Sequence, residues 1–147
     1  MSKVLNYRPV EHRKDKKKHH KHYARHVQMF HWMMDSDAWK DLSANARATY
    51  LEIAKRFNGS NNGLIVYSVR EAERDCKIGR HAALRAFRDL ESHGFVVAEQ
   101  RGHFHWKIDT QGFRRRPATE WRLTTYASDR TLLEATKEFM RWRRGDL

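Results

Sequence analysis

Residues 68–97, SVREAERDCKIGRHAALRAFRDLESHGFVV, read as two helices that meet at a tight turn and run out into a strand. Ser68 and Glu71 have the Ser-x-x-Glu spacing of a capping box, in which hydroxyl and carboxylate satisfy each other's orphan backbone amides. The helix they open extends to about Asp75, and Cys76-Lys77 supplies the turn. A second helix spans about Gly79 to His93, with Gly94 as its stop. At 3.6 residues per turn, Ala83, Phe87 and Leu90 form one apolar stripe with Ala86 on its shoulder. His81, Arg85, Arg88 and Ser92 recur on the opposite side, and Asp89 and Glu91 stay on the flanks. A solvated helix face usually mixes Lys with Glu at i, i+4. This face carries almost only cations, which suits contact with something negative.

Working outward, residues 41–59, DLSANARATYLEIAKRFNG, predict a helix capped by Ser43. Its apolar face is Ala46, Tyr50, Ile53, Ala54 and Phe57, and Asn58-Gly59 supplies the left-handed residue that ends it. Before it, VQMFHWMMDSDAW (27–39) places Phe30, Met33 and Met34 at i, i+3, i+4, with Trp32 and Trp39 adding bulk. Such a stripe belongs to a core, or to a lid packed on one. Leu64 to Tyr67 reads as a short strand, Phe95 to Ala98 begins another, and Glu120 to Tyr126 alternates as its returning partner. The loop between them, RGHFHWKIDTQGFRRRPAT (101–119), sets Arg101, Lys107, Arg114, Arg115 and Arg116 against the single acid Asp109. Phe104, Trp106 and Ile108 alternate within it and make part of it a candidate strand. In TLLEATKEFMRWRRGDL (131–147), Thr131 and Glu134 suggest a second capping box, and Leu132, Ala135, Phe139 and Trp142 a helical stripe. That C-terminal helix would either pack back on the domain or pair with a second copy as a homodimer.

Lys and Arg number 30 against 18 Asp and Glu, a formal charge of +12. Such an excess points to a polyanionic partner, nucleic acid or an anionic membrane surface. The membrane is the weaker candidate, because no apolar run approaches the roughly 20 residues of a spanning helix and the basic start lacks the apolar stretch of a secretory signal. The single cysteine, Cys76, excludes an intramolecular disulfide and fits a reducing cytoplasm. The expectation is a soluble, cytoplasmic protein. Nine of its Lys and Arg fall in residues 1–26 beside only Glu11 and Asp15. That segment, with Lys14, Lys16, Lys17, Lys18 and Lys21 at its centre, reads as a flexible, disordered basic arm. His19, His20 and His22 belong to it as solvated groups rather than a metal site, since no carboxylate or thiol cluster accompanies them. Three regions result: the arm (1–26), a domain over 27–130, and a C-terminal helix or tail over 131–147.

Helix, strand, helix-turn-helix, strand, basic loop, strand is the order of a winged helix-turn-helix domain. The expected class is therefore α+β, mainly helical, with a two- to three-stranded wing sheet. The 68–97 stretch resembles the helix-turn-helix of bacterial winged-helix regulators, with Ser68, Glu71, Ile78, Ala86, Phe87, Leu90, Glu91 and Gly94 at the matching places. Trp39, Leu42-Ser43, the loop 58–63, Arg101-Gly102 and Ala118-x-x-Trp121-Arg122-Leu123-Thr124 are similar to small helix-turn-helix proteins of proteobacterial prophages and mobile elements. The likeness covers residues 27–126. It departs at Lys77, where glycine is common, at Glu73, where a buried alanine is frequent, and at Ala82, Ala83 and Leu84, where small hydroxyl residues often touch DNA. The resemblance implies double-stranded DNA as partner and a nucleoid-associated place in a bacterial cytoplasm.

By helix-turn-helix docking, residues 79–93 enter the major groove with their N-terminal part deepest. Arg80, His81 and Arg85 are then the base-reading candidates, since arginine can hold guanine O6 and N7 together. Arg88, Arg101, Lys107 and Arg114–Arg116 suit the phosphate backbone, as do Ser68 and Arg70 at the start of the supporting helix. The arm lysines add salt-sensitive affinity without sequence preference. The expected function is sequence-specific binding of double-stranded DNA, as a transcriptional regulator. A phage- or plasmid-type replication initiator and a non-specific nucleic-acid or nucleoid-binding protein are the alternatives. No nucleophile–base pairing, phosphate-cradling glycine loop or metal-ligand spacing argues for an enzyme. His103 and His105 share a strand face without a third ligand, and no cofactor or metal is expected.

Overall fold

Local capping chemistry sets most helix boundaries in the computed structural model, which describes residues 24–102, 107–108, 110–112, 114–115 and 117–145. Two short helices, α1 (His31–Met34) and α2 (Asp37–Asp41), bury Met33, Ala38 and Trp39, the core part of the Met/aromatic stripe. Trp32 and Met34 of the same stripe remain exposed. Ser43 then caps α3 (Ala44–Lys55) by accepting the Ala46 amide at 3.1 Å. The predicted face of α3 is buried at Ala46, Tyr50 and Ile53, with Ala54 and Phe57 packed against the core. The helix ends earlier than Asn58-Gly59 suggested. Asn61 Nδ2 donates to the Arg56 carbonyl at 3.0 Å, and Gly59 takes its positive φ of 95° inside the loop.

The capping box forms: Ser68 Oγ accepts from the Glu71 amide at 3.2 Å, and Glu71 Oε2 accepts from the Ser68 amide at 2.8 Å. It opens α4 (Val69–Cys76), which ends at Lys77 in the left-handed region, φ 53° and ψ 49°. The position where glycine is common thus takes the glycine-like conformation with a lysine. After it comes α5 (Arg80–Ser92), closed by a Schellman arrangement at Gly94, φ 80°. There the Phe95 amide reaches the Leu90 carbonyl at 2.9 Å and the Gly94 amide reaches Glu91 at 3.0 Å.

Strands β1 (Ile65–Val66), β2 (Val96–Gln100) and β5 (Glu120–Leu123) form an antiparallel sheet in the order β1-β5-β2. Two further strands, β3 (Lys107–Ile108) and β4 (Arg114–Arg115), pair as a hairpin between β2 and β5, with Lys107 opposite Arg115. The 101–119 loop therefore holds strand at 107–108 and 114–115, Ile108 being the one residue of the alternating set among the described residues. The chain is α+β with a three-stranded open antiparallel sheet, a winged-helix-like layout. One core joins the layers. Trp39, Tyr50 and Phe95 meet edge to face with centroids 5.5–5.8 Å apart, an arrangement worth about 0.5–1.5 kcal/mol per pair beyond area burial. Phe87 stacks on Trp121 at 5.0 Å, and Trp121 Nε1 donates to the Tyr67 carbonyl at 2.9 Å. These contacts fix α5 to the sheet.

The C-terminal helix expected over 131–147 is absent among the described residues. Residues 132–137 are irregular, with Leu132 and Lys137 at positive φ, and only a 3₁₀ turn, Glu138–Met140, follows. Tertiary packing overrides the helical period here. The Lys137 amide is drawn to the Thr124 carbonyl at 2.9 Å, and Phe139 inserts to stack on Phe95 at 4.7 Å. Thr131 hydrogen-bonds Ser128 instead of forming a capping box with Glu134. Phe139 and Trp142 do pack back on the domain while Leu132 is 86% exposed, so these residues do not form one helical stripe among the described residues.

Candidate nucleic-acid interface

The 3.6-residue period of α5 is realised in three dimensions. Ala83, Ala86, Phe87 and Leu90 are buried against α3, α4 and the sheet, while Arg80, His81, Arg85, Arg88 and Ser92 are exposed. Among the described residues, Arg80, Arg85 and Arg88 make no hydrogen bond or ion pair. At about 1.5 Å rise per residue, the 13 residues of α5 extend for roughly 20 Å. Of the two acids on its flanks, Glu91 is held by Arg101 at 2.7 Å, which brings the root of the wing against the C-terminal half of α5, while Asp89 lies four positions after Arg85.

Arg101 was expected on the DNA backbone; its guanidinium is engaged with Glu91 while its side chain remains 69% exposed. Arg70 is exposed on the first turn of α4. Ser68, beside it, has both its amide and its hydroxyl bonded to Glu71 Oε2 at 2.8 Å. A carboxylate thus occupies the place at this helix end where a phosphate was expected. Lys107, Arg114 and Arg115 lie on the β3–β4 hairpin, where position 107 is opposite 115 and position 108 opposite 114. Arg116, the arm residues Lys14, Lys16, Lys17, Lys18 and Lys21, the histidines His19, His20 and His22, and His103 and His105 lie outside the described residues.

Sequence reasoning assigned no role to Lys77. The turn holds it exposed, beside the start of α5. Its neighbour Arg74 is tied to Asp75 at 2.9 Å. That hydrogen bond, together with one from Arg56, holds the Asp75 carboxyl below its ordinary value, so it stays ionised and keeps Arg74 engaged. An open groove between residues 25–27, α3 and α4 also carries charge; of its cations, Lys55, Arg56 and Arg74 are engaged with Glu52 and Asp75, and Arg25 at its edge is exposed. Arg56 also packs over the Tyr67 ring at 4.1 Å. Most of the groove's charge is held in a structural ion network, whereas the α5 cations are unpaired among the described residues.

Among the described residues no group of three His, Cys, Asp or Glu is placed to hold a metal ion. No helix among them is long and apolar enough to cross a membrane. No protein-family model, curated protein or solved structure matches the chain.

Proposed function

We propose that the protein binds double-stranded DNA in a sequence-specific manner, with α5 in the major groove, and acts as a transcriptional regulator in a bacterial cytoplasm. The observation that carries this reading is the row of exposed cations on α5, unpaired among the described residues and set opposite a fully buried stripe. A major groove about 12 Å wide admits an α-helix, and the N-terminal half of α5 presents Arg80, His81 and Arg85 to base edges. Arg88, near the helix end, meets phosphate together with Arg70, Lys77 and the wing positions Lys107, Arg114, Arg115 and Arg116. The basic arm adds contacts that carry no sequence information.

Fluorescence anisotropy tests this with labelled DNA from the gene's own upstream region and a scrambled duplex, each titrated at several salt concentrations. An Arg80→Ala/Arg85→Ala double variant runs in parallel. The expected result is a wide gap between the two duplexes that collapses in the double variant, because each bidentate arginine–guanine contact contributes about 1–3 kcal/mol of discrimination. Equal binding to both duplexes, steeply salt-dependent and indifferent to the variant, would show instead a non-specific polyanion binder acting through arm and wing.

A further inference from the structure

Leu84 stands out on α5. It is half-buried, yet it belongs neither to the buried core nor to the partly buried hydrophobics that pack against it. The core side of the helix is already complete with Ala83, Ala86, Phe87 and Leu90. Residues three and four apart share a helix surface, so the neighbours of Leu84 on its own helix are Arg80 and His81 on one side and Phe87 and Arg88 on the other. Arg80, His81 and Arg88 are exposed, and Phe87 is buried. Glu91, one step further along that line, is engaged by Arg101. Leu84 therefore stands at the edge of the cationic surface, where Arg80, His81 and Arg88 border the core stripe.

A leucine has no hydrogen-bonding atom and gains only by leaving water. On the major-groove edges of the base pairs, the one apolar group is the 5-methyl of thymine; the other groups are donors and acceptors. We infer that Leu84 is a specificity-determining residue that reads a pyrimidine 5-methyl group, that of thymine, at a position between the base pairs met by Arg80 and Arg85. This assignment depends on α5 being the DNA-facing helix. It turns the departure at 82–84 from hydroxyl-bearing residues into a preference. A hydroxyl there would accept several bases, whereas an aliphatic side chain distinguishes thymine from cytosine.

The test separates the methyl from everything else about the base. A preferred duplex is first selected from a random pool with the full chain. Each thymine of that duplex is then replaced in turn by deoxyuridine, which removes only the methyl, and affinities are measured for the wild type and Leu84→Ala. Burying one methyl-sized group corresponds to roughly a fourfold change in affinity. The expected result is one thymine at which the uracil replacement weakens the wild type about fourfold and leaves Leu84→Ala unchanged. At that same position, 5-methylcytosine should outperform cytosine by a similar factor in the wild type, which would show that the methyl itself is read. Leu84→Ala keeps a good helix former at a half-exposed site, and far-ultraviolet circular dichroism checks that it folds.

If no thymine is sensitive to its methyl, or the sensitivity persists in Leu84→Ala, the role of Leu84 is overturned while DNA reading by α5 stands. If selection returns no preferred sequence at all, the reading of α5 itself falls, and Leu84 with it.

Discussion

Asn62 is the residue on which the base of the sheet most depends, and Asn62→Ala measures how much. Its side chain is fully buried. Nδ2 donates toward the carbonyls of Leu123 (2.9 Å), Ala127 (2.9 Å) and Tyr126 (3.1 Å), and Oδ1 accepts the Leu123 amide at 2.7 Å. The carboxamide thus ends β5 at Leu123 and fastens the following turn to the loop before β1. Its backbone bonds to Asp129, at 2.8 and 2.9 Å, survive the substitution. Tyr126 and Ala127 lie close enough to solvent for their carbonyls to find water. The Leu123 amide is buried and loses its partner, whereas the Leu123 carbonyl keeps the Tyr126 amide at 3.4 Å. One orphaned buried group costs about 1–3 kcal/mol, so the expected loss is about 2 kcal/mol, a sizeable share of the 5–15 kcal/mol available to a domain.

Urea denaturation followed by tryptophan fluorescence measures this loss, with the neighbouring Asn61→Ala as control. Asn61 bonds the Asn58 amide and the Arg56 carbonyl in a half-exposed loop and should lose about 1 kcal/mol or less. Asn62→Asp keeps an acceptor for the Leu123 amide but sets a carboxylate against carbonyl oxygens. It should be at least as damaging as alanine at neutral pH and partly recover in acid, where it becomes a donor. An Asn62→Ala loss below about 1 kcal/mol, or one equal to that of Asn61→Ala, would refute the reasoning that orphaned buried groups govern this position.

Gly94→Ala should destabilise by well over 2 kcal/mol, since its φ of 80° is joined by a Cβ 2.7 Å from the Phe139 amide nitrogen. Gly59→Ala, at φ 95° with nothing within 4 Å, should lose only about 1–2 kcal/mol in the same denaturation assay. The Asp41 carboxyl is held below its ordinary value of 3.8 by hydrogen bonds from His93 and Arg144. A depressed folded value means its contribution is present above the unfolded pKa and fades as pH falls through the folded one. The melting-temperature gap between wild type and Asp41→Asn should therefore be full at pH 6 and close below pH 3.8. Arg88→Ala should weaken binding to specific and scrambled duplexes alike and flatten the log K against log salt slope by about 0.9, one phosphate contact. A loss confined to the specific duplex would make Arg88 a base reader instead.

What was legible in the sequence was what nearby residues settle among themselves. Ser68 and Glu71 are three apart, Gly94 closes its own helix, and the α5 stripe follows from a fixed period. Residues 131–147 have a helical period as good as that of α3, but Phe139 stacks between Trp32 and Phe95. Gly94, 45 positions earlier in the chain, has no room for a side chain beside it. Nothing local encodes that contact. Arg122 is similar: strand alternation gives it no special place, yet it is buried with Glu99 on one side and Thr136 at 3.2 Å on the other. Within the candidate interface, the cations of α5 were legible because exposure follows the period. Leu84 was not, because how far a flank position is buried is decided by neighbouring elements rather than by the period. Arg101 was read as a free cation because its partner Glu91 is ten residues away, across the end of a helix.

Nine Lys/Arg and two acids put +7 of the net +12 in residues 1–26, and ion pairing arranges much of the charge elsewhere. Arg56 bridges Glu52, Glu71 and Asp75, Arg122 takes Glu99, Arg130 takes Glu120, Arg101 takes Glu91, and Asp41 holds both His93 and Arg144. Most of these pairs are partly exposed, and such pairs contribute about 0–1 kcal/mol each, so stability alone is a weak reason for them. Their larger consequence is electrostatic. The acids they engage lie on α2, α3, α4, the sheet and the flank of α5, whereas Arg80, Arg85 and Arg88 make no ion pair among the described residues. Screening at physiological salt acts over about 8 Å, so a polyanion meets these cations only at close approach. A non-specific coat needs only excess charge, wherever it falls. The two-duplex titration separates such a coat from the sequence-reading surface proposed for α5, because only the latter loses its preference when Arg80 and Arg85 are removed.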